Sequence, residues 1–468
     1  MTEGPSGAED TAGPEAGWMR AEQMTGRDRL TKPRGGFWGR VLRGAALLTC
    51  AAMASGAARA ETAYGCRDLL TSDLLPAVEG REGVFFRVQP DLETYHWIGD
   101  ESVALLARLS ERLAAGGTRL IYVPVPSKAL AMPDHLPPRA ADLGHDPEIA
   151  ATVYAEMLRR LQAAGITAID ARTALRRAAT AGRAPVFATD PRLTPAGTEA
   201  LARAIAEEIH ALPFAATAEP TSFRVRGGEE IELASSMRTR LQVQCLSDLP
   251  PVRLPRQEVT RGAHAMTVSQ PLTGDAAPPI AVLGTEIAVD PALGLAGHIS
   301  AYSRFEALSY MVPGEDRRAD AFSAISAYMS SPAFEAAPPR VLVWAVPVWL
   351  DLGRHGGRPL RELIALASNN CDAPLTVEPT AEGLTAALDA PAAALRFDAD
   401  DPAVQRAEFR FTSARGETRR RIIERHPDQH GTGRFAMPLD GLWPDGAVSV
   451  EIVSVTGPSP RLTLCEER

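Results

Sequence analysis

Residues 119–128 read R-L-I-Y-V-P-V-P-S-K and give the first indication of the fold class. The first seven residues form an apolar run, which predicts a strand buried on both faces of a parallel sheet. Helices with one apolar face are predicted on either side of it, over residues 100–115 and 147–164. A buried strand between two such helices is typical of an α/β protein.

The alternation of strands and helices continues along the chain. Thr194 and Pro195 have the residue types that begin a helix, and the apolar spacing predicts that this helix runs to residue 212. The other predicted elements are strands at 166–169, 280–283 and 341–346, and a helix near 319–328. This order predicts a doubly wound parallel sheet. Residues 213–278 interrupt it with Thr-, Val- and Arg-rich runs, which indicate a β-rich insertion.

The texture of the sequence changes after Cys371. Short alternating runs such as 395–397, 407–411 and 448–453 are separated by Gly, Pro and Asp. About a hundred residues of this kind predict a small β-sandwich. We therefore expect one α/β domain over residues 61–369, with the insertion inside it, and a sandwich over 370–468.

The composition excludes several classes of protein. The 468 residues carry a formal net charge of -9, and 45% of them are hydrophobic, enough to build real cores. An acidic balance argues against a nucleic-acid partner, which needs basic surface. The body of the chain has no apolar run long enough to cross a bilayer.

The first sixty residues have the layout of an export signal. Basic residues between positions 20 and 43 precede the short apolar stretch 44–54 and then Ala58-Arg59-Ala60. That order predicts a signal peptide cut after Ala60, and hence a periplasmic protein. An uncleaved anchor is the alternative, and Met19 or Met24 is an alternative start.

Cleavage leaves four cysteines in an exported chain, which suggests two disulfides. Four cysteines allow three connectivities. Cys371 and Cys465 bracket the last hundred residues, whereas Cys66 and Cys245 lie in the part before, so we predict the pairs 66–245 and 371–465. No Cys or His cluster indicates a metal site, and no cofactor is expected.

Three loops follow predicted strands or open a helix, where α/β proteins gather their chemistry. They contain V-P-V-P-S-K-A at 123–129, D-P-R-L-T-P-A-G at 190–197 and G-T-E at 284–286. With the segments 83–87 and 338–347, they resemble, in order and spacing, the AlgX/AlgJ family of periplasmic alginate O-acetyltransferases, whose catalytic domain is related to the SGNH hydrolases. The C-terminal sandwich and the two disulfides resemble AlgX in particular.

The resemblance implies acyl transfer to an anionic exopolysaccharide, beside a membrane-bound acyltransferase and polymer-export proteins. In such enzymes a Ser attacks the acyl carbonyl, a His accepts its proton and an Asp orients the His. Asp190 matches the Asp, but Arg192 stands at the His position and Glu286 at the Ser position, while Ala345 replaces a Glu of the family's late strand. A guanidinium stays protonated and cannot act as the base. We therefore expect a degenerate catalytic site.

Relocated catalytic residues are the alternative. His298 and Ser300 stand two apart, and in a strand they would share a face. Ser127 and Lys128 could form a Ser–Lys pair, although a scaffold role fits the family motif better. A salt bridge between Glu286 and Arg192 would instead preserve the shape of the pocket with inert chemistry, and we prefer that interpretation.

A cluster of basic residues in the predicted sandwich is the second candidate site. Arg forks suit uronate carboxylates, and a Trp can stack on a sugar ring. The residues predicted to bind polysaccharide are Arg419, Arg420, Arg421, Arg425 and Trp443. A solvated hairpin in an Arg-rich chain is the alternative. The sequence thus predicts a polymer binder or a scaffold, with an active acetyltransferase that uses relocated residues as the competing hypothesis.

Overall fold

The computed structural model describes residues 62–267, 269–270, 278–310, 320–354, 356–368, 371, 373–388, 392–425, 431–454 and 456–465. The predicted signal peptide and tail, residues 1–60, lie outside these ranges. Within them, no helix is both long and apolar enough to cross a membrane.

The described residues form helices and strands with these bounds. The helices are α1 (Asp100–Ala115), α2 (Lys128–Ala131), α3 (Pro147–Ala163), α4 (Ala171–Thr180), α5 (Pro195–Ala211), α6 (Ser236–Gln242), α7 (Glu286–Val289), α8 (Leu295–Ser303), α9 (Ser323–Met329), α10 (Pro332–Ala336) and α11 (Arg358–Leu366). The first eleven strands are β1 (Ala77–Glu79), β2 (Phe85–Arg87), β3 (Arg119–Val125), β4 (Thr167–Ala168), β5 (Phe223–Leu233), β6 (Val252–Arg261), β7 (His264–Met266), β8 (Ser269–Gln270), β9 (Ile280–Gly284), β10 (Ala307–Tyr310) and β11 (Val341–Pro347). The others are β12 (Ala373–Pro374), β13 (Glu378–Pro379), β14 (Gly383–Ala387), β15 (Ala394–Asp398), β16 (Arg406–Thr412), β17 (Thr418–Glu424), β18 (Arg434–Pro438), β19 (Ser449–Val453) and β20 (Arg461–Cys465).

Six parallel strands form the central sheet, in the order β4-β3-β11-β9-β10-β8. Successive side chains of β11 enter two different cores. Leu342 and Trp344 pack with α1, α3 and α11, whereas Val343 and Ala345 pack with α4, α5 and α8. Because both faces are covered, β11 is apolar along its whole length and β3 is apolar after Arg119, and the predicted doubly wound α/β fold is confirmed.

The predicted insertion contains a separate antiparallel sheet of β5, β6 and β7. Helix α6 lies between β5 and β6, and its end is joined to the start of the described chain by the disulfide between Cys66 and Cys245. The Cys371–Cys465 disulfide is also present, so both predicted pairs are confirmed. Strand β8 leaves the insertion and becomes an edge of the central sheet by pairing with β10.

The C-terminal region contains two antiparallel sheets, in the orders β12-β20-β15-β18 and β13-β14-β19-β16-β17. Side chains from both sheets share one apolar core, in which Phe397 lies against Phe409 and Phe435. Helix α11 packs against β18 and joins this sandwich to the α/β part. At that junction, Arg425 Nη2 donates to Glu362 Oε1 at 2.6 Å, and both side chains are buried.

Candidate functional site

The loop after β3 ends in a buried Ser–Lys pair. Ser127 caps α2 by accepting from the Leu130 backbone N–H, and its hydroxyl donates to the Asp91 carbonyl at 3.3 Å. Lys128 Nζ donates to the carbonyls of Phe85 and Ala188, at 3.0 and 3.1 Å. Burial lowers the pKa of Lys128 to about 8, against the opposing effect of Asp91. Lys128 therefore joins the β2 segment to the loop that carries Asp190, as a scaffold residue would.

Arg192 lies at the centre of the second loop, which precedes α5. Its Nε and Nη2 donate to the two carboxylate oxygens of Asp190 at 2.8 and 3.0 Å, and its Nη1 donates to Asp290 at 3.0 Å. Nη2 also donates to the Ala234 carbonyl at 2.6 Å, from the insertion. Asp190 and Arg192 are 2% and 8% exposed, so this fork is held away from solvent.

The electrostatics of this pair fix both charges. Burial acts to raise the pKa of Asp190, but the hydrogen bonds and charge of Arg192 outweigh it and hold that pKa below its usual value. Burial acts to lower the pKa of Arg192, but Asp190 and Asp290 raise it. The Asp190 carboxylate is therefore paired with a cation that keeps its charge. Neither Asp190 nor Arg192 is available to accept or release a proton near neutral pH.

The end of β9 supplies the third loop. Gly284 lies beside Ala345 of β11, and a Cβ at Gly284 would lie 2.3 Å from the Ala345 carbonyl oxygen, so only glycine fits there. Thr285 is buried, and Glu286 begins α7 as a half-buried residue. The Leu193 N–H donates to the Ile287 carbonyl at 3.2 Å, so the Arg192 and Glu286 loops lie against each other.

Arg192 has two acidic partners. Its Nε lies 2.8 Å from Asp190 and its Nη1 lies 3.0 Å from Asp290. Asp290 lies just beyond α7, one turn after Glu286, and reaches the guanidinium from there. Arg192 is therefore held between two carboxylates, one on its own loop and one beyond α7, and its predicted pairing with Glu286 stays a prediction.

The relocated pair is also corrected. His298 and Ser300 lie on helix α8, not on a strand, so residues two apart point in different directions. The Ser300 hydroxyl is fully buried, donates to the Ala296 carbonyl at 2.9 Å and accepts from the Ala307 N–H at 2.9 Å. His298 instead stacks on Tyr302, with ring centroids 6.1 Å apart. Ser300 is therefore held by the backbone, as a structural serine is.

The basic residues of the sandwich do not form one surface. Arg425 is buried against Glu362, and its guanidinium lies 4.6 Å from the centre of the Phe435 ring, so the prediction that it binds polymer is wrong. Arg419 lies over Trp443, 4.8 Å from the ring centre, and donates to the carbonyls of residues 441 and 442. On β17 the side chain of Arg420 points to the opposite face from those of Arg419 and Arg421, although Arg419 and Arg420 both contribute to one groove.

A groove of about 490 Å³ crosses the outer face of the five-stranded sheet. Its lining residues are Thr380, Thr385, Arg410, Thr412, Thr418, Arg419, Arg420, Ser449 and Glu451. Arg410 and Arg420 donate to Glu408 at 2.9 and 2.7 Å, and Arg410 also pairs with Glu451. The groove is therefore lined by hydroxyls around a balanced network of arginines and glutamates. Arg419 and Arg420 are among the residues predicted to bind polysaccharide, whereas the other lining residues come from separate strands that alternation alone does not place side by side.

The described residues contain no group of three or more His, Cys, Asp or Glu side chains placed to hold a metal ion. The loops cluster at the carboxyl edge of a doubly wound sheet, and an Asp stands two residues before the position of the base. This is the arrangement of an SGNH hydrolase-like protein.

The comparisons with known proteins agree with this class. Residues 77–348 match the family described as "SGNH hydrolase-like domain, acetyltransferase AlgX". The chain belongs to this family. The predicted relationship to AlgX and AlgJ is confirmed.

Individual relatives extend the comparison. The chain is 26% identical over 260 residues to "Probable alginate O-acetylase AlgJ" of Pseudomonas aeruginosa, covering 53% of this chain and 63% of that protein. It is 26% identical over 303 residues to "Alginate biosynthesis protein AlgX" of the same organism, covering 64% and 61%. The chain thus matches a little over three fifths of the length of these relatives. The solved structure of Pseudomonas aeruginosa AlgX superposes with a TM-score of 0.68 at 22% identity, covering 84% of this chain and 96% of that one, which shows a shared fold.

Proposed function

We propose that this chain is an exported AlgX-like protein of alginate or related exopolysaccharide biosynthesis, with a catalytic centre that no longer transfers acetyl groups. Its role is to bind the polymer or to hold together the acetylation and export complex. The observation that carries the proposal is the fork of Arg192 on Asp190 and Asp290, at the position where the family has its histidine.

The chemistry of this arginine–carboxylate fork supports the loss of acetyl transfer at the site. An O-acetyltransferase of this kind needs a neutral imidazole to take the proton from the serine hydroxyl. The guanidinium of Arg192 has no lone pair to offer, and the Asp190 carboxylate is already satisfied by it. Glu286, at the serine position, would have to form a mixed anhydride without a proton relay. Removing the Ser or the His of a related triad lowers turnover by about a millionfold.

The groove on the sandwich supports the polymer-binding role. Thr385, Thr412 and Ser449 line it with hydroxyl groups, which both donate and accept hydrogen bonds and so suit a polyhydroxylated chain. Arg420 stands at its exposed side and can turn from Glu408 to a uronate carboxylate. The occupant we propose is an anionic exopolysaccharide.

The similarity to AlgX also supports a proposal for the export, domain organisation and partners of the protein. We propose that residues 1–60 direct export and are removed after Ala60, that residues 61–369 form the SGNH-like domain and that residues 370–468 form a carbohydrate-binding-like sandwich. The two disulfides support an oxidising compartment such as the periplasm. Candidate partners are a membrane-bound acyltransferase and components of the polymer-export machinery.

Binding of alginate to the chain purified from the periplasm tests the polymer-binding role. Thr412→Tyr places a phenol ring in the groove and should weaken binding about tenfold or more. Leu246→Tyr is the matched control, because Leu246 is an exposed apolar residue outside the groove and should tolerate the same ring. Equal binding by the two variants would contradict a binding role for the groove. No binding by the unmodified chain would leave the scaffold as the function.

A further inference from the structure

Two exposed aromatic side chains lie on the α/β part of the protein, outside the sandwich groove. Tyr95 is 64% exposed and Trp97 is 54% exposed, in a protein whose other large apolar side chains are mostly buried. We call this pair the aromatic strip. Neither ring takes part in the old catalytic loop or in the groove, so neither has a role in the proposed function so far.

The backbone of the strip is held in place by buried neighbours. Exposed and buried residues alternate from 93 to 98, so Thr94, His96 and Ile98 point inward while the two rings point outward. The Thr94 hydroxyl donates to the Gly144 carbonyl at 2.9 Å, and Arg160 Nη1 donates to the Ile98 carbonyl at 2.7 Å. The strip is therefore fixed along α3 before any ligand arrives, which lowers the entropy cost of binding.

A cation supports the ring of Trp97. The Arg160 guanidinium lies 4.2 Å from the ring centre and also pairs with Asp100. Because one face of the indole rests on Arg160 and more than half of the side chain is exposed, the remaining surface of the ring is available to a flat ligand. The charges beneath the ring cancel, so attraction to this surface comes from stacking and not from net charge.

The strip starts beside the old catalytic edge. The Ser127 hydroxyl, just after β3, donates to the Asp91 carbonyl, and the chain then runs from Asp91 through Tyr95 and Trp97 to α1. The segment that carries the two rings is therefore joined to the carboxyl edge of the sheet four residues before Tyr95. In an extended segment, side chains two apart stand about 6–7 Å from each other, which suits adjoining sugar rings.

We propose that the aromatic strip is a second glycan-binding site, at which sugar rings of the exopolysaccharide stack on Tyr95 and Trp97. The site rests on the proposed function for the identity of the polymer, but it is independent of the groove. It binds through stacking, whereas the groove uses arginines and hydroxyls. The two sites should therefore differ in their response to salt.

Alginate binding by the full exported chain tests the proposal, in low salt and in about 1 M NaCl, where the screening length is about 3 Å. Tyr95→Ala/Trp97→Ala should weaken binding about tenfold in both salts, since stacking of two rings is lost. The matched control is Leu74→Ala/Leu246→Ala, which removes two other exposed apolar side chains and should bind as the unmodified chain does. Trp97→Phe keeps a ring and should retain most of the binding.

The outcomes separate the two proposals. Unchanged binding by Tyr95→Ala/Trp97→Ala, alongside weaker binding by Thr412→Tyr, would overturn the aromatic strip and leave the groove as the polymer site. In that case a protein partner would be the remaining ligand for the strip. No alginate binding by the unmodified chain would overturn the polymer-binding role itself, and the second site with it. A loss confined to low salt would also contradict stacking.

Discussion

A buried ion pair between Arg425 and Glu362 lies at the junction between the sandwich and the α/β part. Arg425→Met removes the guanidinium that pairs with Glu362 and keeps a side chain long enough to cover Phe435. The carboxylate of Glu362 then stays in a buried place with no cation beside it. Removing one partner of a buried pair costs about 3–5 kcal/mol. We therefore expect the midpoint of thermal unfolding to fall by about 6 °C or more.

The pH dependence gives the same prediction a second readout. Burial raises the pKa of Glu362, although Arg425 opposes it. A carboxyl group whose pKa is higher in the folded state than in the unfolded state contributes most to stability at low pH. That contribution is lost as the pH rises through the folded-state pKa. Without Arg425 the pKa of Glu362 should rise further. Arg425→Met should therefore be less destabilising near pH 5 than near pH 8.

Differential scanning calorimetry of the two forms measures the effect. Arg461→Met is the matched control, because Arg461 pairs with Asp398 on the same sandwich but its side chain is 71% exposed. An exposed pair contributes about 0–1 kcal/mol, so this variant should unfold close to the unmodified protein. Equal, small shifts for Arg425→Met and Arg461→Met, at both pH values, would refute the reasoning about burial.

Three further predictions concern stability. Lys128→Met should lower the free energy of unfolding by about 1–3 kcal/mol for each of the two carbonyls left unpaired. Because burial lowers the pKa of Lys128 to about 8, the stability of the unmodified chain to urea should increase as the pH rises above that value. The same increase in the Lys128→Met variant would contradict the assignment. Hydrogen bonds from Arg183 and a second arginine lower the pKa of Glu199 to about 2, so the stabilisation by its carboxylate is lost as the pH falls from 4.5 towards that value. Glu199→Gln should therefore make the stability of the fold, followed by circular dichroism, less dependent on acid pH. An unchanged acid profile would contradict this prediction. Cys371→Ser/Cys465→Ser opens a loop of 94 residues and should lower stability by about 4–5 kcal/mol in a thermal scan, and no difference from the unmodified chain would contradict a structural disulfide.

The central sheet could be predicted because its signal is local. Strand β3 has the predicted bounds, and β9 and β11 differ from theirs by one residue at the end, since each is a short apolar run. The Thr194 cap of α5 is also present, because a hydroxyl followed by proline favours a helix start wherever the chain allows it. Such features depend on residues that are close together in the chain, so the sequence alone is enough to predict them.

The errors concern contacts between distant residues. Arg192 pairs with Asp290, which is 98 residues further along the chain, and nothing in either segment marks the pair. Arg425 looks like a surface residue by composition, but α11 places Glu362 beside it and buries both. A strand would place His298 and Ser300 on one face, but the segment forms helix α8, because a short apolar run fits a buried helix equally well.

Arg192 cannot act as the base of acyl transfer, and we propose that acetyl groups are no longer transferred at this site. Turnover of a chromogenic acetyl ester by the exported chain tests the proposal most directly, with Asp190→Asn, Glu286→Ala and Ser300→Ala measured beside it. We expect all four proteins to hydrolyse the ester no faster than buffer. Turnover by the unmodified chain that any one of these substitutions abolishes would contradict it and would identify a working catalytic residue.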